Sequence, residues 1–234
     1  MSKLVLAVDT CGAAGSVALA RLIEASAGDS GIEPVGQKEL AGRTYSTTLI
    51  PAIEELLNVA HARVADLHAI VAVSGPGSFT GVRVGLSTVK GLSEPGQTPV
   101  VTVSRLAVLA RKGKAQWAAL DAHRGEIFLR MAEGEPGNVF RERLAGQAEL
   151  GAMSGPPGRV AVCDAVAGAL IEGAWPGAEL VRTSAPTALE ALELAVPLVR
   201  SGEFVDLALL DGHYLRRSDA EIFGEKAAAG AGQR

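Results

Sequence analysis

The feature that most constrains the fold of this chain is a short pattern that occurs twice. Residues 4–8 are apolar and lead to Asp9, and a glycine-containing turn then leads into a second apolar run. The same order recurs at residues 117–120, which lead to Asp121 and to another glycine-containing turn. Each copy predicts a β-hairpin with an aspartate at its tip. Because one such hairpin opens each half of the chain, the sequence predicts two related lobes.

Helical patterns follow the first hairpin. Apolar residues recur at helical spacing between residues 48 and 60, and a second helix is expected to end near Ser93. Strand and helix patterns therefore alternate, which indicates the α/β class. We expect an N-terminal lobe at residues 1–110, a C-terminal lobe at 111–220, and a disordered tail at 221–234, where alanine and glycine are frequent.

Composition and charge exclude several classes of protein. Hydrophobic residues make up 48% of the 234 residues, which is too many for a disordered chain and enough to bury a core. Apolar runs of about 18 residues, as a membrane span requires, do not occur. The formal net charge of -4 is unfavourable for a protein that binds nucleic acid by itself. The first residues lack the features of a signal peptide, so we expect a cytoplasmic protein.

A glycine-rich loop connects a predicted strand to the second predicted helix. The loop and the start of the helix comprise Gly75, Pro76, Gly77, Ser78, Phe79, Thr80, Gly81 and Arg83. The backbone N–H groups of such a loop can bind an anion, with Arg83 nearby, or the loop can simply be a tight connection. The loop lacks the Gly-Lys-Ser/Thr of a Walker A motif, and Thr80 replaces the third glycine of a dinucleotide fingerprint.

Small residues form a stripe along the second predicted helix. Gly81, Gly85, Thr88 and Leu92 follow one another at spacings of four, three and four, which places them on one helical face. Such a stripe lets another helix approach closely. The neighbouring helix can belong to the same lobe, or the stripe can form a subunit interface together with the apolar face of residues 49–60.

The sequence offers few side chains for catalysis. Its four histidines form no H-x-x-x-H or H-E-x-x-H motif, and its two cysteines have no neighbouring base in the sequence. Asp9 and Asp121 remain, since each could coordinate a magnesium ion or steer a phosphate at a hairpin tip. Aspartate is also a common turn former, so both interpretations stay open.

Five segments, in the same order along the chain, resemble the TsaB (YeaZ) family, a bacterial subunit of the tRNA threonylcarbamoyladenosine machinery. The matching segments are residues 6–10 with 16–19, Arg43 with 49–51, residues 75–85, residues 121–126 and residues 214–216. The glycine-rich loop is the most specific of the five. Tyr45 is a departure, because members often carry histidine at that position.

The resemblance implies an α/β fold of two actin-like (ASKHA, ribonuclease-H-like) lobes. It also implies a catalytically inactive subunit that forms a heterodimer with its paralogue, the TsaD transferase, and associates with the ATPase TsaE. That complex transfers a threonylcarbamoyl group to N6 of adenosine 37 in tRNAs that read ANN codons. The resemblance assigns ATP and the metal to the partners. The negative net charge indicates that this subunit contacts tRNA only indirectly.

The resemblance further implies that the first two helices contact the partner. A homodimer through the same helix surface is a separate expectation, for the chain without its partner. The expected interface comprises Tyr45, Leu49, Ile53, Leu56, Gly81, Gly85, Thr88 and Leu92. The alternative is an enzyme of the same superfamily that acts alone, either ATP-dependent or peptidase-like. Asp9, Asp121 and the glycine-rich loop would then supply its site.

Overall fold

The computed structural model describes residues 3–24, 31–42, 44–133, 139–156 and 158–216. They form two five-stranded sheets with helices packed against them, so the predicted α/β class and the predicted pair of lobes are confirmed. Arg43 and the predicted disordered tail at 221–234 lie outside the described residues.

The same order of elements occurs in both halves of the chain. The first half contains β1 (Lys3–Asp9), β2 (Ala14–Leu22), β3 (Ile32–Ala41), α1 (Tyr45–Val59), β4 (Leu67–Val73), α2 (Phe79–Ser93), β5 (Val100–Val103) and α3 (Arg105–Lys112). The second half contains β6 (Trp117–Asp121), β7 (Glu126–Glu133), β8 (Val139–Gly146), α4 (Gln147–Gly151), β9 (Arg159–Val162), α5 (Ala165–Ala174), β10 (Glu179–Arg182) and α6 (Ala188–Ser201). Each half is thus three strands followed by alternating helices and strands.

The two sheets also share their topology. The strand orders are β3-β2-β1-β4-β5 and β10-β9-β6-β7-β8. In each sheet the first three strands of the half pair antiparallel, and the two later strands run parallel to the first. The repeated hairpin seen in the sequence therefore marks a repeat of the whole fold.

The last helix of each half packs against the sheet of the other half. Leu106 and Leu109 of α3 lie in a core with Leu120 and Phe128 of the second sheet. Helix α6 instead packs along the first sheet, where Leu192 is part of the core. Each of these two helices therefore buries its apolar face against the sheet of the other half, and the predicted boundary between residues 110 and 111 stays a prediction. The helices α3 and α6 also contact each other between the two sheets.

Helix α1 begins three residues before its predicted start at residue 48. Pro51 consequently lies inside the helix and not in its first turn. Proline has no N–H group, so the helix lacks one backbone hydrogen bond at this point. Because Pro51 is exposed, the carbonyl group left without a donor can face solvent.

Within the described part of the chain, none of the helices has the length and apolar character that crossing a membrane requires.

Candidate functional site in the cleft between the lobes

The first hairpin places Asp9 at the end of β1, inside the protein. Asp9 is 1% exposed, and its Oδ1 accepts a hydrogen bond from the Cys11 amide at 2.8 Å. An aspartate that accepts the amide two residues later stabilises a tight turn. Burial, and next the charge of Asp9, raise the pKa of the Cys11 thiol well above its usual value, so the thiol is neutral.

Asp121 makes the same turn in the second lobe. Its Oδ1 accepts the amide of His123, again two residues later, at 2.7 Å. Its other oxygen lies 3.0 Å from the imidazole Nδ1 of His123, and its own amide donates to Asp164 at 3.0 Å. Both aspartates therefore act as turn formers within their own hairpins. Among the described residues, no three His, Cys, Asp or Glu side chains come together as a set of metal ligands.

Arg105, at the start of α3, extends to the first hairpin. Its Nε lies 3.4 Å from Oδ2 of Asp9, and the residue is 7% exposed. Burial alone would lower the pKa of Arg105, but its interactions with Asp9, Cys11 and Cys163 together outweigh burial and raise it. The side chain fits only because residue 12 is glycine, since a Cβ there would lie 2.2 Å from Nη2 of Arg105. A buried arginine therefore lies where the two lobes meet.

Sequence reasoning missed Arg105, although a local signal existed. A positive charge in the first turn of a helix is unfavourable, because the N-terminus of a helix is already partly positive. Arginine immediately after the capping residue Ser104 therefore indicates a specific negative partner. The partner itself could not be identified, because Asp9 is far away in the sequence.

The glycine-rich loop closes around the tip of the first hairpin. The amide of Ser78 donates to the carbonyl of Cys11 at 2.7 Å, and the Thr10 hydroxyl donates to the carbonyl of Gly81 at 2.7 Å. The amide of Gly81 donates to the Ser78 hydroxyl at 3.3 Å, which caps α2. These N–H groups are therefore already used within the chain. The loop is a tight connection, and of its two interpretations the structure supports this one.

Glycines 81 and 85 let α2 approach the hairpin. A Cβ on Gly81 would lie 2.1 Å from the carbonyl oxygen of Thr10, and one on Gly85 would lie 2.3 Å from the Thr10 hydroxyl. Side chains at these positions would therefore push α2 off the first sheet. Gly81 and Gly85 of the predicted stripe of small residues therefore face the protein's own hairpin, and their contact with a partner stays a prediction.

The other end of the loop contacts the C-terminal segment. The guanidinium of Arg83 stacks 4.0 Å above the ring of Phe79, and that ring lies 4.8 Å from the ring of Tyr214. Arg83 is exposed and its described contact is this aromatic ring. The loop is thus held on one side by the hairpin and on the other by Tyr214.

Residues 213–216, here called the strap, connect the two lobes. The His213 amide donates to the carbonyl of Ser74 in the first lobe at 2.7 Å. Arg216 pairs with Glu126 in the second lobe and donates to the carbonyl of His123 at 3.2 Å. The strap therefore crosses from the end of β4 to the tip of the second hairpin.

Glu142 on β8 is a second tie between the lobes. It accepts hydrogen bonds from the Ser104 hydroxyl and from Nη1 of Arg130, both at 2.7 Å, and Nε2 of His213 lies 2.9 Å away. Burial alone would raise the pKa of Glu142, but contacts with His213, Ser104 and Arg130 outweigh burial and lower it. The carboxylate is therefore charged and joins the start of α3, the second sheet and the strap.

The side chains of α1 that were expected at a partner interface lie in the core. Tyr45, Leu49, Ile53 and Leu56 are all buried against the first sheet, and the Tyr45 hydroxyl donates to the carbonyl of Gly12 at 2.8 Å. Helical periodicity marks a buried face without saying what buries it, and in this chain the first sheet buries these side chains. On α2, Thr88 and Leu92 are half-buried. The interface on the two helices stays a prediction, and the outward side chains include Ile50, Val59 and Glu54.

The sequence of this chain is similar to proteins named for tRNA threonylcarbamoyladenosine synthesis. The family model for TsaD, tRNA N6-adenosine threonylcarbamoyltransferase, matches residues 19–147, which is more than half of the chain. The tRNA threonylcarbamoyladenosine biosynthesis protein TsaB of Escherichia coli is 33% identical over 130 residues, covering 53% of this chain and 52% of that protein. TsaB of Bacillus subtilis is 36% identical over 90 residues, covering 37% and 39%. The matched part thus spans about half the length of these relatives, or less.

Solved structures extend the similarity over nearly the whole chain. YeaZ from Pseudomonas aeruginosa superposes with a TM-score of 0.63 at 29% identity, over 91% of this chain and 100% of that one. A second structure, described as an uncharacterized protein with similarity to peptidase YeaZ from Pseudomonas aeruginosa, gives a TM-score of 0.73 at 26% identity over 92% and 100%. Together with the repeated topology, these matches confirm the predicted fold of two actin-like lobes.

Proposed function

Because this chain belongs to the TsaB (YeaZ) branch of the TsaD-related family, we propose that it takes part in the synthesis of tRNA threonylcarbamoyladenosine. In this proposal it is a subunit without catalytic activity that partners the TsaD transferase, with the ATPase TsaE, in the modification of adenosine 37. ATP and the metal ion bind to the partners, tRNA is contacted only through them, and the complex works in the cytoplasm.

The observation that carries the proposal is that polar groups in the cleft between the lobes are bonded within the chain. Arg105 fills the space beside Asp9, and the amides of Ser78 and Gly81 in the glycine-rich loop are bound within the chain. An enzyme that bound a nucleotide there would need those amides and that carboxylate for phosphate and metal. The chain uses them for its own packing, which supports a role in holding a partner over a role in chemistry.

The outward faces of α1 and α2 are the proposed contact surface for TsaD. Ile50 and Val59 of α1 are 41% and 63% exposed, whereas Leu49, Ile53 and Leu56 on the inward face of the helix are in the core. Exposed apolar side chains on a helix are suited to packing against another helix. The same surface would hold two copies of this chain together in the absence of TsaD.

Reconstitution tests the proposal with a matched pair of variants. Purified TsaD and TsaE, threonylcarbamoyl adenylate and tRNA are combined with or without this chain, and modified adenosine is measured by mass spectrometry. Ile50→Asp on α1 should abolish copurification with TsaD and the modification. Val166→Asp on α5, a residue 47% exposed, is the control and should change neither.

Two results would contradict the proposal. Modification that proceeds equally well without this chain would remove its role in the pathway. Turnover of ATP or a peptide by the isolated chain, lost in Asp9→Asn, would instead favour the alternative of an enzyme that acts alone.

A further inference from the structure

Strand β5 is an edge strand of the first sheet, and the N–H and C=O groups of every second residue in it point away from the sheet. The Ile70 amide donates to the carbonyl of Pro99 at 2.9 Å, and the Ser74 amide donates to the carbonyl of Val103 at 3.1 Å. Backbone groups of successive strand residues point to opposite neighbours, so the odd-numbered residues of β5 bond to β4. The amide and carbonyl of Thr102 therefore point away from the sheet.

The chain covers only the beginning of this edge. The Val205 amide donates to the carbonyl of Val100 at 2.9 Å, as the next strand of the sheet would. The chain then turns away, with the Leu209 amide bonded to the carbonyl of Asp206 at 3.0 Å, and returns to the sheet at His213. Within the described ranges, no backbone group bonds to Thr102 from this side.

A cavity of about 440 Å³ lies between the edge and the departing chain. It is lined by Ser74, Thr102, Val205, Asp206, Leu209, Leu210, Asp211, Gly212 and His213. Its volume lies within the range of known ligand sites. Leu209 is 80% exposed at its rim, and none of the lining residues belongs to α1 or α2. The cavity is therefore separate from the surface proposed for TsaD.

Two carboxylates at the rim give the cavity a negative charge. Oδ1 of Asp206 accepts the Ala208 amide at 2.9 Å, and Oδ1 of Asp211 accepts the Gly212 amide at 2.7 Å. These bonds fix the direction of both side chains, and no hydrogen bond from the described residues reaches the second oxygen of either carboxylate. Both residues are exposed, so a basic side chain can reach them.

We propose that this cavity binds an extended segment of another protein, which adds a strand to β5 and carries a lysine or arginine. The segment bonds to the amide and carbonyl of Thr102, as peptides do when they extend a sheet. An apolar side chain of the segment packs on Leu209, and the basic side chain pairs with Asp206 and Asp211. The proposal does not depend on the proposed function, because it concerns a different surface.

Replacing Thr102 with proline tests the backbone contact directly. Proline removes the outward N–H group and no bond to β4, and it is tolerated on an edge strand. The probe is the peptide acetyl-Val-Lys-Val-Lys-Val-amide with a fluorescent label, titrated with the full chain and followed by anisotropy. We expect Thr102→Pro to weaken binding about tenfold, as the loss of one hydrogen bond predicts. Thr102→Val keeps the amide and is the control, with affinity expected to stay within about twofold.

Two further measurements do not depend on the folding of the proline variant. A peptide N-methylated at its central valine lacks the matching donor and should bind about tenfold more weakly to the unchanged protein. The double variant Asp206→Asn, Asp211→Asn should weaken binding of the original peptide, and the difference should shrink at high salt.

Several results would overturn the proposal. These are the absence of saturable binding at millimolar peptide, equal affinity of Thr102→Pro with an unchanged melting temperature, and equal affinity for the methylated peptide. Slow hydrogen exchange of the Thr102 amide in the monomeric chain without peptide would mean that the chain covers its own edge. A dimer in light scattering that Thr102→Pro dissociates would assign the edge to a second copy.

Discussion

Removing the guanidinium of Arg105 is the substitution for which the structure makes the sharpest prediction. Arg105→Met keeps the apolar stem but removes the cation that lies 3.4 Å from the carboxylate of Asp9. The carboxylate stays buried. Breaking a buried ion pair by removing one partner costs about 3–5 kcal/mol. The Cys11 amide still donates to the carboxylate, so the lower end applies. We expect the free energy of unfolding to fall by about 3 kcal/mol.

A second substitution separates the charge from the packing. Asp9→Asn keeps an acceptor for the Cys11 amide and removes the negative charge. The double variant Asp9→Asn, Arg105→Met should therefore be more stable than Arg105→Met by about 2 kcal/mol, although it carries one more change.

Urea unfolding is the assay, followed by far-ultraviolet circular dichroism and by the fluorescence of Trp117 and Trp175. The two signals report on the whole chain and on the second lobe, where both tryptophans lie in the core. A loss below about 1 kcal/mol for Arg105→Met would refute the reasoning, since a surface pair contributes no more than that. A double variant that is no more stable than the single one would refute it as well.

Three further predictions follow from the packing of α1, α2 and the strap. Gly85→Ala should lower the free energy of unfolding by about 1–3 kcal/mol in urea titrations, because its Cβ would meet Thr10. Gly91→Ala on the same helix, where a Cβ meets nothing within 4 Å, should raise the free energy of unfolding by about 0.5–1 kcal/mol. Equal effects of the two substitutions would contradict this packing. Tyr45→Phe removes a buried hydroxyl bond and should cost about 0.5–1.5 kcal/mol by the same measurement, and an unchanged midpoint would mean that the bond contributes nothing. Glu142 has a lowered pKa in the folded state, so its stabilising effect is complete above the ordinary value of 4.5 and is lost as the pH falls through the lowered value. Glu142→Gln should thus destabilise the protein at pH 7 and flatten the acid part of the curve of stability against pH. An identical curve would count against the role of Glu142 in joining the lobes.

The repeat was predictable from sequence because it is written locally. An apolar run, an aspartate and a glycine turn are adjacent in the chain, and Asp9 and Asp121 indeed make the same turn. The partner of each apolar helix face is not written locally. Leu49 and Ile53 show the same spacing whether they bury against their own sheet or against another protein, and here they bury against their own sheet.

Contacts between distant segments were the other part that sequence could not supply. The pairing of Asp9 with Arg105 and the bond of Glu142 to Ser104 join residues that are far apart in the chain. Neither has a spacing rule, because the fold brings them together only when both sheets are formed. The packing of α3 on the second sheet and of α6 on the first was missed for the same reason. The apolar pattern of an amphipathic helix does not indicate which sheet the helix will pack against.

The packing of α6 on the first sheet sets an order of events while the chain is being synthesised. The strands of the first sheet leave the ribosome early, but α6, which covers one of their faces, is made only after the second sheet. The first lobe therefore emerges with an apolar face that only a later part of the same chain can cover. Until then that face is open to chaperones and to wrong partners. A ribosome that stalls after the second sheet would release a chain that has both sheets but lacks α6, so one face of the first sheet would stay uncovered.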